Sequence, residues 1–347
     1  MKRAKLVAAQ LAMVAFTTFA LAGCGNADKH KKAVRNEANV VVAPFTGQNI
    51  KVPERPIAIA GGAGGVWVTS MAGSVLSEID PRTGKKIGKP VFTDSAPYAL
   101  DVAFGKVWVA GFQNDVLVRI DPRTRKVIDR IKVDNRPFGL THGFGYMWVT
   151  SIRNQTLSRL DPQTGRRVGR RIELSGTPYR VATGAGFVWV TDMRDGLVDK
   201  IDPKTGKRVG APIKVGGLPT AIVVDGRYVW VTSARDGSGE AGPSAVTGGQ
   251  KIPPASVWKI DAKTGKRVGA PIPVPLRPQA ITAGGGSIWV VSVDGDTLLR
   301  IDAATGRRAT LPIGIGNGPT DVIFAFDDVW VPASRDDVVA RFDPRQR

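Results

Sequence analysis

Seven tryptophans recur at an almost fixed interval, and a period of this length restricts the fold more than any other feature of the chain. Trp67, Trp108, Trp148, Trp189, Trp230, Trp289 and Trp330 each sit in a Val/Ile/Met-Trp-Val step, at spacings of 41, 40, 41, 41, 59 and 41 residues. An aspartate follows thirteen residues after six of them, as Asp80, Asp121, Asp161, Asp202, Asp302 and Asp343. In the fifth unit the step from Trp230 to Asp261 is 31, an excess of 18 that equals the excess in the 59-residue spacing. One insertion, roughly Gly237 to Pro254, explains both anomalies.

Each unit reads as four short strands rich in Val, Ile and Trp, separated by Gly, Pro and Asp. In the unit of Trp230 the expected strands are Thr220 to Val224, Tyr228 to Ser233 and Ser256 to Ile260. A fourth of the type Pro212 to Val215 follows in other units. Four strands in about forty residues is the arithmetic of a propeller blade. The expected fold is all-β: one seven-bladed propeller of four-stranded antiparallel blades over residues 43–347. The last unit stops before its fourth strand, and Ile50-Lys51-Val52 matches the missing one. That strand should complete the last blade and remove the open edge of a linear array.

The first residues read as an address. Lys2, Arg3 and Lys5 precede an uncharged run, Leu6 to Leu21, that ends in Leu21-Ala22-Gly23-Cys24. A basic start, a short apolar core and small residues at the cut describe a secretory signal, here 1–23. The four residues at the cut resemble the bacterial lipobox, which implies lipidation of Cys24, the single cysteine of the chain. An ordinary signal with a coincidental cysteine is the alternative. Residues 24–42 then form a polar, flexible tether. The expected location is the bacterial cell envelope, lipid-anchored on the extracytoplasmic side of a membrane.

The Val-Trp-Val-Thr step, the Ile-Asp-Pro-x-Thr-Gly-Lys turn and the Pro-x-x-Val-Gly-x-x-Pro segment resemble the YVTN and streptogramin-lyase-like (virginiamycin B lyase-like) β-propeller repeats. The resemblance covers about 43–347 and implies the propeller fold. The related lyase relies on histidines and acidic residues with a magnesium ion. The propeller here holds one histidine, His142, so equivalent residues are not carried over.

Composition narrows function by exclusion. One cysteine rules out an internal disulfide framework and a Cys-based zinc site, and two histidines leave little for His-dependent chemistry. Neither a nucleophile–His–Asp order nor a phosphate-binding glycine loop before a helix can be assembled. No cofactor and no metal are expected. The tryptophans read as packing between blades, and the Asp-Pro-x-Thr-Gly turns as hairpins held by the aspartate. The charge is another matter: 49 Lys+Arg against 30 Asp+Glu gives +19, an attraction to something acidic.

Two candidate surfaces follow. The turns between third and fourth strands carry Lys85, Lys86, Arg125, Lys126, Arg166, Arg167, Lys207, Arg208, Lys266, Arg267, Arg307 and Arg308 on one face. This ring suits contact with an anionic cell-wall polymer or lipid headgroups; a solvated rim that resists aggregation is the alternative. The opposite face varies between units, and there Tyr98, Phe138 and Tyr179 follow the proline before the first strand in three consecutive units. Arg180 and Asp321 replace a small residue one step later, and Arg136 and Arg277 flank the same entrance. An aromatic arc with charges nearby suits a carbohydrate, peptide or aromatic ligand over the channel; filling of inter-blade space is the alternative. The chain is therefore expected to be a monomeric, membrane-anchored binding or sensing scaffold for an envelope ligand, polymer or protein. Nucleic acid is not an expected partner. The alternatives are a lyase or hydrolase using acidic residues at the channel mouth, and an assembly scaffold for envelope proteins.

Overall fold

The computed structural model describes residues 42–345, apart from 94–95, 235–245, 248–249, 252–254 and 276. Cys24, the signal 1–23 and all of the tether but Val42 lie outside the described residues. So does the 237–254 insertion, except for a short hairpin pairing Val246–Thr247 with Gln250–Lys251.

Every regular element among the described residues is a strand, and the strands form seven four-stranded antiparallel sheets in a ring. Blade 2 shows the plan: Pro97–Ala103 innermost, then Lys106–Gly111, Val116–Asp121 and Lys126–Lys132 outermost. Blade 7 takes its outer strand from the other end of the chain. Gln48–Lys51 pairs with Val338–Phe342, Ile50 opposite Val339, which closes the ring as the sequence required. Before it, Ala43 bridges in parallel to Ile313 on the outer strand of blade 6.

The Val-Trp-Val step explains the packing. On a strand, neighbouring side chains point to opposite sheet faces, so each tryptophan faces one neighbouring blade and its two flanking apolar residues face the other. Trp67 packs on Leu100, Val107, Val109 and Ile120 of blade 2, and Trp330 on Ile59, Val66, Val68 and Ile79 of blade 1. All seven tryptophans are fully buried between blades. Six of their indole N–H groups donate to the carbonyl five residues earlier, as Trp148 does to Gly143 at 3.0 Å.

A second inter-blade device rides on the same face. Opposite each tryptophan on the third strand stands a long side chain, Arg119 across from Trp108 for instance. It lies over the indole and reaches the turn of the next blade. Arg119 Nη1 donates to Gln163 O at 2.7 Å, Arg159 to Pro203 O at 2.7 Å, Lys200 Nζ to Ala262 O at 2.7 Å and Lys259 Nζ to Ala303 O at 3.0 Å. Arg300 reaches Pro344 O at 3.1 Å and Arg341 reaches Arg82 O at 3.4 Å. Blade 1 has Glu78 in this place, opposite Trp67, and burial raises its carboxyl above the usual range.

The outer strands are less regular than the repeat suggests. Blades 1 and 2 have continuous ones, Lys86–Phe92 and Lys126–Lys132. In blades 3 to 6 only two residues pair (Ile213–Lys214 in blade 4, where Pro212 to Val215 was expected), plus one isolated bridge near the turn. In blades 3 to 5, Gly169, Gly210 and Gly269, with φ of 76°, 74° and 71°, turn the chain out of the ladder, whereas the equivalent Gly88 of blade 1, φ 58°, only shifts the register within a continuous strand. Blade 2 has Val127-Ile128-Asp129-Arg130 instead and stays extended.

Candidate functional site: the channel and its upper mouth

Antiparallel order puts the hairpins between first and second strands, and the turns between third and fourth, on one face of the ring, here called lower. The turns between second and third strands, and the connections into each first strand, lie on the upper face. First strands of all seven blades line a central channel of about 260 Å³. Its waist is a girdle of branched aliphatics, one per blade: Ile59, Leu100, Leu140, Val181, Ile222, Ile281 and Val322. Among the channel-lining residues only Arg180 and Asp321 are charged.

A bulge after the leading proline gives the upper end its shape. The first-strand register shifts there in blades 1 to 6. The threonine of Val-Trp-Val-Thr takes up the backbone amide that the shift strands. Thr69 Oγ1 accepts from Ala58 N at 3.2 Å, Thr150 from Gly139 N at 2.8 Å and Thr191 from Arg180 N at 2.9 Å. That threonine therefore belongs to the mouth as much as to the core.

The structure brings the expected aromatic arc together. Tyr179 stacks on Phe138 at 4.2 Å between centroids, Phe138 lies 5.3 Å from Tyr98, and Phe112 joins at 5.0 Å from Tyr98. Arg180 sits over Phe138 at 5.2 Å and Tyr179 at 5.7 Å; Arg136 covers Phe112 at 5.5 Å. Phe138 and Tyr179 are buried, each 5% exposed, and Tyr98 is half-buried. So the arc is first a packed cluster, completed by Ile152 and Met193, and Tyr98 is its accessible edge. Burial raises both tyrosine phenols above their ordinary value, with Gln279 of blade 6 beside the Tyr179 hydroxyl opposing the shift.

Three arginines ring this cluster in an unusual backbone state. Arg55, Arg136 and Arg277 each immediately precede a first-strand proline and adopt φ of 58°, 56° and 52°. A residue before proline is normally extended, and left-handed φ on a side chain with Cβ costs on the order of 1–3 kcal/mol. Blade 7 uses Gly318 there, φ 66°. Neighbouring carboxylates hold the turns: Arg55 N donates to Asp337 at 2.9 Å and Arg136 N to Asp115 at 2.7 Å, while the Arg277 guanidinium pairs with Asp294 at 2.9 Å. Among the described residues, no carboxylate lies within ion-pair distance of the Arg55, Arg136 or Arg180 guanidinium groups.

Asp321 faces Arg180 within the channel lining without pairing to it. Its carboxylate accepts from Ile59 N at 3.1 Å, across the closing joint, and from Val322 N at 2.9 Å. Burial raises its carboxyl above the usual range; the Arg180 charge and the two amides oppose that.

Sequence reasoning missed Arg55, Phe112 and their companions. The signals were present: Arg-Pro at three equivalent positions, and a large apolar residue four after Trp108, Trp148 and Trp189 (Phe112, Ile152, Met193). The polar residues of the upper turns are largely spent on local structure. Asp192 accepts from Thr177 N at 2.8 Å, Asn154 from Asn135 N at 2.7 Å and Asp336 from Asn317 N at 2.8 Å.

The lower face carries the turn aspartates, which accept from amides two or three residues on, as Asp161 does from Thr164 N at 2.7 Å. The basic ring there is divided. Arg167 pairs with buried Asp134 at 3.2 Å, Arg208 with buried Asp199 at 2.6 Å, Arg267 lies over Trp258 and Arg308 reaches Pro273 O at 3.0 Å. Arg125 folds back onto the Ile87 carbonyl. Lys85, Lys86, Lys126, Arg166, Lys207, Lys266 and Arg307 remain extended into solvent.

His142 lies toward the lower end of its first strand, its Nδ1 2.8 Å from Asp101 Oδ2, and this contact raises its pKa above the ordinary value. The girdle separates it from Asp321, so the two do not form one acid–base set. The donors also do not fit a magnesium ion: both Asp321 oxygens are taken by amides beside a guanidinium. Among the described residues no three His, Cys, Asp or Glu side chains converge.

No protein-family model and no curated protein matches the chain. Solved structures do resemble it. Virginiamycin B lyase from Staphylococcus aureus, a catalytically inactive histidine-to-alanine variant with quinupristin, matches at TM-score 0.69 and 18% identity over 86% of this chain and 98% of that one. Hydrazine synthase of Kuenenia stuttgartiensis gives TM-score 0.72 at 17% identity, covering 87% and 99%. A computationally designed protein, Ika8, gives 0.60 at 14%, covering 86% and 98%. A lyase, a hydrazine synthase and a designed protein share the architecture, so the architecture alone carries no activity. The chain is a seven-bladed propeller of the kind seen in virginiamycin B lyase.

Proposed function

We propose that the protein is a binding scaffold of the bacterial envelope, anchored through lipidated Cys24, that captures an anionic, ring-bearing ligand at the upper mouth of its channel. The observation that carries this reading is the set of four guanidinium groups, Arg55, Arg136, Arg180 and Arg277, around the Tyr98–Phe138–Tyr179 cluster, three of them on strained backbone. Arginine offers a planar fork for carboxylate, phosphate or sulfate, and the exposed edge of Tyr98 offers a surface for a ring. Strain kept at three equivalent positions is characteristic of recognition sites. The basic start and the lipobox-like step support a site outside the cytoplasm, which argues against nucleic acid as the partner for the +19 charge.

The enzymatic alternative needs carboxylates that converge on a substrate, and the channel lining supplies one. The test is native mass spectrometry of the protein purified from detergent-solubilised envelope. The parent should retain an anionic ligand, and Arg180→Ala and Tyr98→Ala should each lose it. Parental occupancy in both variants would remove the mouth as the site.

A further inference from the structure

A cavity of about 490 Å³ opens on the outer wall between blades 3 and 4. Arg159, Arg170, Arg171 and Arg208 line it over an apolar floor that includes Ile172 and Ile201. Two of these arginines are a local departure from the repeat. Blades 4 and 5 continue as Gly210-Ala211-Pro212 and Gly269-Ala270-Pro271, whereas blade 3 has Gly169-Arg170-Arg171. Charge has been added where the wall is open.

The guanidinium groups are held from beneath. Arg208 Nε lies 2.6 Å from Asp199 and Arg171 Nη2 lies 3.3 Å from Asp134, both carboxylates being buried. Arg159 is fixed by Pro203 O at 2.7 Å. Each guanidinium has five N–H donors; Arg159 also donates to Val168 O and Lys204 O and Arg208 to Ser175 Oγ, so the surplus donors lie chiefly on Arg170 and Arg171. Arg170 is exposed and has no hydrogen-bond or ion-pair partner among the described residues. Glu173 is the single carboxylate at the rim. A concave, water-accessible space with surplus planar donors and one acceptor is matched to a tetrahedral oxyanion.

We infer that the groove between blades 3 and 4 binds the phosphate group of a small soluble molecule, gripped by Arg170 and Arg171 with Arg208 as the far wall. A flat lipid surface does not reach into a concavity on the side of the disc. The site is separate from the channel mouth and does not depend on the reading given for it.

The experiment is calorimetric titration of the purified protein with inorganic phosphate, glycerol 3-phosphate and phosphatidylglycerol vesicles. Soluble phosphate should bind saturably. Arg170→Glu should weaken it by about tenfold or more, and Glu173→Gln, which removes the competing acceptor, should strengthen it. Lys266→Glu, an equal change of charge on the exposed turn of blade 5, should alter it by less than about twofold. Equal losses in Arg170→Glu and Lys266→Glu, binding to vesicles alone, or no saturable binding of either soluble phosphate would each overturn the site.

Discussion

Six of the seven joints between blades carry a cation from the third strand to the turn of the next blade, while the joint from blade 1 to blade 2 carries Glu78. The joints are otherwise built alike, each around one buried tryptophan. The channel follows the reverse rule: five blades place Ala or Gly at one first-strand position, and blades 4 and 7 place Arg180 and Asp321. At a joint, a departure from the pattern removes a bridge that the fold can spare. In the channel, a departure puts a charge into confined space, where it costs stability and therefore calls for another reason to be there. Repeated positions hold the disc together, and exceptional ones mark where it can recognise something.

The largest expected effect is at the part common to all joints. Trp148→Ala should cost about 3–5 kcal/mol, because it opens a cavity against Val181, Val188 and Val190 of the next blade. Urea unfolding would check it, and a loss below about 1 kcal/mol would show that the blades do not depend on the tryptophan wedge.

The bridges should give a smaller, signed pair of results. Arg119→Ala leaves the carbonyls of Pro162 and Gln163 without their donor, and should cost about 1.5–3 kcal/mol. Glu78→Arg installs the missing bridge and should raise the melting temperature, a gain of about 1 kcal/mol. If both variants are destabilised alike, Glu78 has a role of its own and the joints are not equivalent.

The smallest effect is a slope. Burial raises the Asp321 carboxyl, so its proton is held more tightly in the folded chain than in the unfolded one. The stability associated with that proton is present at low pH and is lost as pH rises from the ordinary carboxylate value through the raised one. Melting of Asp321→Asn against the parent should therefore shift in favour of the variant between pH 4 and pH 7, whatever the constant offset from replacing a carboxylate that accepts two amides. A flat difference would mean that Arg180 and the amides balance the burial.

Much of this is legible in the sequence alone. Strand period, blade count, ring closure by Ile50 and the role of the tryptophans followed from spacing and alternation, because each depends on a residue and its near neighbours. The cationic bridges could have been read too, since Arg or Lys stands two residues before the turn aspartate in every unit but the first. The outer strands of blades 3 to 6 are shorter than the repeat suggests; in blades 3 to 5 a glycine takes left-handed φ and leaves the ladder, while blade 6 has Thr310 at that place.

The sequence by itself determined the disc, because a period of about forty residues with one apolar wedge per unit can bury its faces only by stacking and closing. Which side chains meet was decided by the closed ring alone. Tyr179 touches Gln279 and Asp321 accepts from Ile59, contacts of 100 and 262 positions along the chain. The cavity between blades 3 and 4 likewise belongs to neither blade. Curvature brings such residues together, and no local pattern of residues encodes a curvature that exists only once the last strand has paired.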